Sequence, residues 1–135
     1  MKKFSSNLSF YLLLLLAASM VTFLACQDDD DEPNKADFIG TYDVSEICNG
    51  ISYPYTLSIE DVSGSENEVT ITNLWDWEEV MNATVDGSTI TIPSQLTDEV
   101  TFTGTGELTD NTLVITYTAV DDTDTESCVA TATQQ

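Results

Sequence analysis

Residues 100–120 read VTFTGTGELTDNTLVITYTAV, and this segment indicates the fold class most clearly. Apolar side chains recur with a period of two on both sides of Asp110-Asn111. Phe102 and Leu108 share one phase before this pair, and Ile115 holds the corresponding phase after it. Such alternation is typical of a strand with one buried and one exposed face, and Asp-Asn is a turn signal. The stretch therefore predicts two antiparallel strands joined by a short turn.

The same alternation continues through the rest of the chain from residue 39, and no 11-residue window has helical spacing of its apolar residues. We predict an all-β domain, either one eight-stranded antiparallel up-and-down barrel or a strongly curved sandwich. Asp86-Gly87 predicts a hairpin turn, and Pro93 is expected to end the fifth strand. The predicted strands are Ile39–Cys48, Tyr53–Val62, Glu68–Leu74, Glu79–Val85, Thr89–Ile92, Val100–Leu108, Leu113–Val120 and Ser127–Thr133.

The positions of two cysteines test whether the first and last strands of the barrel are neighbours. Cys48 ends the first predicted strand, and Cys128 lies at the start of the eighth. In an eight-stranded meander these two strand ends lie at the same rim, and they are neighbours if the barrel closes. In an exported protein we therefore expect a Cys48–Cys128 disulfide, with two buried free thiols as the alternative.

The charge of the chain excludes several classes of function. The sequence has 24 Asp and Glu, 3 Lys and Arg, and no His, for a net charge of −21. Without arginine or histidine, a folded body cannot clamp phosphates, which excludes nucleic-acid binding. It also lacks the imidazole of nucleophilic triads and of most metal sites. We therefore expect no enzyme activity, no cofactor and no metal site, while Ca²⁺ binding by the acidic loop 121–126 is left open.

The N-terminus carries a targeting pattern. Lys2-Lys3 precedes an apolar run of about fifteen residues, which is shorter than a bilayer-spanning helix. The pattern predicts a cleaved export signal over residues 1–25. The acidic run Asp28–Glu32 cannot pack, so residues 26–37 are expected to be a disordered tether and residues 38–135 the folded domain.

The segment Phe23-Leu24-Ala25-Cys26 resembles the lipobox of bacterial lipoproteins. The resemblance implies cleavage before Cys26 and acylation of this cysteine, for example with palmitate, which anchors the protein to the outer membrane. An ordinary secretory signal is the alternative. The acidic run behind Cys26 resembles the surface-export signal of Bacteroidota lipoproteins, which implies exposure on the cell surface; a periplasm-facing protein is the alternative.

The first predicted strand opens with Phe38-Ile39-Gly40-Thr41-Tyr42, which resembles the Gly-x-Trp start of lipocalin-like barrels, with Tyr42 at the Trp position. The last strand, which begins at Cys128, is similar to the ends of small lipocalin-like domains in Bacteroidota lipoproteins. These resemblances imply a lipocalin-like barrel.

The barrel interior is the first candidate ligand site. Gly104 and Gly106 lie in the inward phase of the sixth strand, where they either leave a pocket or allow the strand to coil sharply. Eight strands enclose space for packed side chains or for one small ligand. A hollow interior would be lined by Tyr42, Tyr55, Phe102 and Tyr117.

Both tryptophans, Trp75 and Trp77, form the second candidate site, together with nearby carboxylates. Aromatic faces beside carboxylates suit sugar rings, although the same rings could plug one end of the barrel.

These observations predict a membrane-anchored, non-catalytic envelope lipoprotein that binds a small hydrophobic molecule or a glycan, or assists an envelope complex. One lysine and 24 carboxylates remain after residue 25, a side-chain charge of −23. Such a charge attracts cationic partners. The alternative is therefore a protein-interaction or inhibitor module that targets a basic secreted protein.

Overall fold

The computed structural model describes residues 33–135; the predicted signal peptide, Cys26 and residues 27–32 of the tether lie outside the described residues. Eight antiparallel strands form a closed barrel, in which each strand pairs with the next and the last pairs with the first. This confirms the predicted up-and-down barrel, and its closure excludes the curved sandwich. The strands are β1 (Gly40–Cys48), β2 (Ile51–Asp61), β3 (Glu68–Thr72), β4 (Val80–Asp86), β5 (Thr89–Thr97), β6 (Val100–Thr109), β7 (Thr112–Val120) and β8 (Thr125–Gln134).

A short helix, α1 (Lys35–Phe38), precedes β1 and begins inside the range predicted to be a tether. The Asn34 side chain accepts a hydrogen bond from the Ala36 N–H at 2.9 Å, and the Asp37 carboxylate accepts one from the Asn34 N–H at 2.8 Å. This reciprocal cap satisfies backbone donors of the first turn. The helix places the fully buried Phe38 against the core. Neither α1 nor the 3₁₀ turn Leu74–Asp76, the helical segments of residues 33–135, has the length and hydropathy of a bilayer-spanning helix.

The inward side chains of all eight strands pack together in the barrel interior. Gly104 and Gly106 let β6 approach its neighbours closely, because a Cβ atom on Gly104 would lie 2.5 Å from Tyr117 Cβ and one on Gly106 would lie 2.9 Å from Ile90 Cγ2. The two glycines therefore serve packing between strands. Among the largest fully buried side chains are Tyr42, Phe102, Tyr117, Leu57, Ile59, Ile71 and Met81.

The predicted disulfide is confirmed. Cys48 on β1 and Cys128 on β8 are directly paired positions, with their Cα atoms 4.2 Å apart, and their sulfurs are bonded. The bridge joins residues 80 positions apart and fastens the first strand to the last. Closing a loop of this length stabilises the fold by about 4–5 kcal/mol in the chain-entropy model.

The prediction that Pro93 ends the fifth strand is wrong, because β5 continues to Thr97. The register between β5 and β6 shifts between Ile92 and Gln95, so Pro93 lies in a bulge where its missing N–H is not needed. The Gln95 side chain replaces ladder bonds to β4: its Oε1 accepts from the Asn82 N–H at 2.9 Å, and its Nε2 donates to the Asn82 carbonyl at 2.8 Å.

Candidate functional site: the acidic end of the barrel

The connections β1–β2, β3–β4, β5–β6 and β7–β8 lie at one end of the barrel, because successive strands run in opposite directions. We call this the acidic end, since it holds ten of the 19 carboxyl side chains in residues 33–135. Lys35, the one basic residue of that range, lies at the opposite end, with its Nζ 2.5 Å from Asp61 Oδ1. The ten acidic residues are Glu46, Asp76, Glu78, Glu79, Asp98, Glu99, Asp121, Asp122, Asp124 and Glu126.

One of these carboxyl groups is buried inside the barrel. Glu46 points inward in phase with Val44 and Cys48, and only 1% of its surface is exposed. Its Oε1 accepts a hydrogen bond from the Tyr55 hydroxyl at 2.8 Å and another from the Tyr117 hydroxyl. Two donors on one carboxylate oxygen replace part of the hydration that burial removes.

The environment of Glu46 favours its neutral form. Burial raises the pKa of Glu46, the hydrogen bonds from Tyr117 and Tyr55 oppose this shift, and the nearby carboxylates of Glu126 and Asp76 add to it. Burial, followed by the interaction with Glu46, raises the pKa of both tyrosines. Both hydroxyls therefore remain protonated and able to donate, which suits a structural cluster.

Trp75 connects this buried cluster to the rim. Its backbone N–H donates to the Tyr55 hydroxyl oxygen at 3.2 Å, and its indole Nε1–H donates to Glu126 Oε2 at 3.0 Å. The Trp75 ring lies edge-on to the rings of Trp77 and Phe102, with centroids 5.8 Å away in both cases. Both tryptophans are partly buried against the core. This arrangement is that of a plug over the end of the barrel.

Non-glycine residues with a left-handed backbone concentrate at the acidic end. For asparagine and aspartate this conformation is well tolerated, but for a bulky residue such as Trp75, with φ at 67°, it is a true outlier. Strain of this kind costs about 1–3 kcal/mol per residue and clusters at functional sites. Six of the seven such residues in the described chain lie here: Asn49, Asn73, Trp75, Asp76, Asp98 and Glu99.

Large apolar side chains are exposed at the same end. Their exposed fractions are 71% for Leu96, 58% for Ile51, 54% for Val80 and 45% for Tyr53. All four belong to the ends of β2, β4 and β5 that adjoin the acidic connections. A group of exposed apolar side chains with polar residues around it is typical of protein-interaction surfaces.

The acidic loop between β7 and β8 is held by its own hydrogen bonds. Asp121 Oδ1 accepts from the backbone N–H groups of Thr123 and Asp124, at 2.6 Å and 2.7 Å, and from the Thr123 hydroxyl. These bonds lower the pKa of Asp121, the Thr123 N–H most of all. A cleft of about 70 Å³ opens beside the loop, lined by Trp75, Val100, Ala119, Asp121, Asp124 and Glu126.

A set of potential metal ligands also lies near this end. Among residues 33–135, the carboxyl group of Glu46 and the sulfurs of Cys48 and Cys128 have ligand atoms within 4.8 Å of one another. The disulfide occupies both sulfurs, so they are not available as thiolates in this state.

Five of the six aromatic residues predicted to bind a ligand meet near the acidic end: Tyr55, Trp75, Trp77, Phe102 and Tyr117. Tyr42 lies at the other end of the barrel, where its hydroxyl donates to the Phe38 carbonyl at 2.8 Å. Burial and then the charge of Asp37 raise the pKa of Tyr42 to about 12.

Sequence reasoning missed the buried Glu46 and the contact of Glu126 with Trp75. A signal for Glu46 was present, because it shares the inward phase of the apolar residues in the first strand. Neither a protein-family model nor a curated protein matches the chain. A function for the acidic end therefore rests on the chemistry of the site itself.

Proposed function

We propose that this protein is a non-catalytic lipoprotein, anchored to the outer membrane through Cys26, whose acidic end binds a basic secreted protein. The observation that carries the proposal is that carboxyl groups and exposed apolar side chains share one end of the barrel. Ten of the 19 carboxyl groups in residues 33–135 lie at this end, where Leu96, Ile51 and Val80 are exposed, and the one lysine of this range lies at the other.

A group of carboxylates with no basic residue among them attracts and orients an approaching cationic protein. The field of a surface with one sign of charge raises association rates 10- to 10³-fold at low ionic strength. Carboxylates at a rim contribute mainly to this rate and to the choice of partner. The acidic end would therefore select basic proteins and turn away acidic ones.

The exposed apolar side chains add binding free energy to that of the charges. Burial of apolar area stabilises a complex by roughly 25 cal/mol per Å² before the costs of association. Leu96 and Ile51, which are more than half exposed, are the first candidates for such burial. A partner that covers them would carry apolar residues between its basic ones.

The packed interior favours this function over binding of a small hydrophobic molecule in the barrel. Tyr42, Phe102 and Tyr117, which were expected to line a hollow interior, are at most 2% exposed and belong to the core. Tyr117 and Tyr42 also use their hydroxyls within the protein. We therefore place the binding surface on the outside of the barrel.

The course of the chain supports display of the acidic end. The described chain enters the barrel through α1, at the end opposite to the acidic connections. A lipid on Cys26 would hold the barrel by that opposite end. Strand β1 leads from this opposite end to the acidic end, over about 30 Å for its nine residues.

The experiment compares two variants of equal charge by surface plasmon resonance against lysozyme, a basic secreted protein, at about 10 mM salt, where the Debye length is roughly 30 Å. The first variant neutralises the acidic end with Glu78→Gln, Glu79→Gln, Asp98→Asn and Glu99→Gln. The control neutralises four exposed carboxylates at the opposite end with Glu60→Gln, Glu66→Gln, Glu68→Gln and Asp110→Asn.

We expect the acidic-end variant to associate at least about 10-fold more slowly than the wild type, and the control variant about 2-fold more slowly. Equal losses in both variants would show a response to net charge only and would contradict the proposal. Absence of binding by the wild type would contradict it as well.

A further inference from the structure

The outer face of β6, β7 and β8 differs in chemistry from the rest of this acidic domain. These strands have 15 outward positions, of which ten are threonine, one is serine and three are valine. The remaining position is Glu107, the one charged residue of the set. We call this face the threonine wall.

Threonine is common on exposed strand faces because β-branched side chains suit a pleated surface. The composition alone therefore does not require a ligand. The wall also contains a depression, however, and its shape has a cause in the sequence.

The depression lies over Gly106, between β5, β6 and β7. Because Gly104 and Gly106 have no side chains, β6 sits close to β7 and to the core, so close that a Cβ atom on Gly104 would come within 2.5 Å of Tyr117 Cβ. The outer surface is correspondingly lowered, which leaves a groove of about 320 Å³. The groove is lined by Thr89, Thr105, Gly106, Glu107, Val114 and Thr116.

The strand register places these side chains in two adjacent rows of cross-strand pairs in the groove. Thr105 is paired with Thr116, and Glu107 is paired with both Thr89 and Val114. All five of these side chains are exposed or line the surface, so the polar oxygens of four of them face solvent. Each hydroxyl can donate one hydrogen bond and accept two, and the carboxylate accepts only.

We propose that this groove binds a short, uncharged oligosaccharide. The hydroxyls and the Glu107 carboxylate match the alternating donors and acceptors of sugar hydroxyls. The methyl groups of Val114 and the threonines match the C–H faces of a sugar ring. The volume is at the lower end of the range for small-molecule sites, about 300–1,000 Å³.

The charge distribution disfavours charged ligands in this groove. An anion is repelled by a domain with 19 carboxyl side chains and one lysine in its described residues. A cation is attracted more strongly to the acidic end, which holds ten of those groups, than to Glu107 alone. Neutral ligands remain, and the hydroxyls that line the groove favour a ligand with many hydroxyl groups. The site is separate from the acidic end and does not depend on the proposed partner.

The test is an NMR titration of the ¹⁵N-labelled protein with maltotriose, cellotriose, mannotriose and triacetylchitotriose, and with trigalacturonate as the anionic control. The backbone amide of Gly106 reports on the groove. We expect saturable shifts at Gly106 and its neighbours with at least one neutral sugar and none with trigalacturonate. An open groove without an aromatic platform predicts a dissociation constant of about 1 mM, so concentrations reach about 50 mM.

Two isosteric variants separate the groove from the wall as a whole. Thr105→Val removes one lining hydroxyl and should weaken binding about 5-fold, because a neutral hydrogen bond is lost. Thr103→Val changes the same strand face outside the groove and should leave the affinity within about 2-fold. The proposal is overturned if no neutral sugar gives saturable shifts, if trigalacturonate shifts the same amides, or if both variants behave alike.

Discussion

Replacement of Glu46 is expected to reveal how much the buried Glu46–Tyr55–Tyr117 cluster contributes to stability. In Glu46→Leu, the hydroxyls of Tyr55 and Tyr117 lose their common acceptor. A buried polar group left without a partner costs about 1–3 kcal/mol, so the two hydroxyls together cost roughly 3 kcal/mol after partial relaxation. For a domain of this size that loss lowers Tm by about 10–20 °C.

Glu46→Gln is the matched control, because its amide oxygen can still accept both hydroxyls while the group no longer ionises. The raised pKa of Glu46 gives the sign of the pH effect. The folded protein holds the Glu46 proton more tightly than the unfolded chain, so stability from this group is present below its unfolded pKa of about 4.3 and is lost as the pH rises through the folded value.

The free energy of unfolding is measured with urea between pH 4.5 and pH 8 for the wild type and both variants. The wild type should lose stability relative to Glu46→Gln as the pH rises across this range, because only the wild type must hold a buried charge. A wild type that gains stability relative to Glu46→Gln as the pH rises would contradict the raised pKa of Glu46, and a Glu46→Leu variant as stable as the wild type would contradict a stabilising cluster.

Three further changes probe the fold and the anchor. The double substitution Cys48→Ser with Cys128→Ser should lower the free energy of unfolding by about 4 kcal/mol in urea under oxidising conditions, and an unchanged urea midpoint would show that the bridge does not constrain the unfolded chain. Gly104→Ala should cost about 1–3 kcal/mol by overpacking against Tyr117, and thermal unfolding as stable as the wild type would contradict the close approach of β6. Cys26→Ser should move the protein from the membrane fraction to the soluble fraction and abolish palmitate labelling, whereas continued labelling would contradict acylation at Cys26.

The parts of the fold that depend on local patterning could be predicted from sequence. Alternation with a period of two placed the eight strands, and the positions of Cys48 and Cys128 in a meander placed both sulfurs at one rim. These features need only the strand period and the order of strands along the chain.

The features that sequence reasoning missed depend on register between distant strands. Glu46 meets Tyr55 and Tyr117 only because β1 lies close to both β2 and β7 in the closed barrel, a contact that spans 71 residues for Tyr117. Pro93 was expected to end a strand, but β5 continues past it because the Gln95 side chain replaces ladder bonds to Asn82 on β4. This contact depends on how β4 and β5 are paired, which the local sequence pattern does not determine. The left-handed backbone of Trp75 likewise follows from contacts with Tyr55 and Glu126 rather than from its own preference.

The acidic aromatic region could be located but not interpreted from sequence alone. Trp75 and Trp77 were recognised as a candidate ligand platform beside carboxylates. Their partly buried positions against Phe102 depend on how the loop folds over the core, which strand alternation does not determine. The exposed surface therefore consists of the surrounding carboxylates and apolar side chains.

Binding at the acidic end is tested most directly by mapping the surface that a basic protein covers. ¹H–¹⁵N spectra of the full barrel are recorded with increasing unlabelled lysozyme at low ionic strength. We expect the largest changes on residues 49–53, 73–80, 96–99 and 121–126, which form the acidic end. Changes centred on α1, on the opposite turns or on the groove over Gly106, or spread evenly over the surface, would contradict a binding surface at the acidic end.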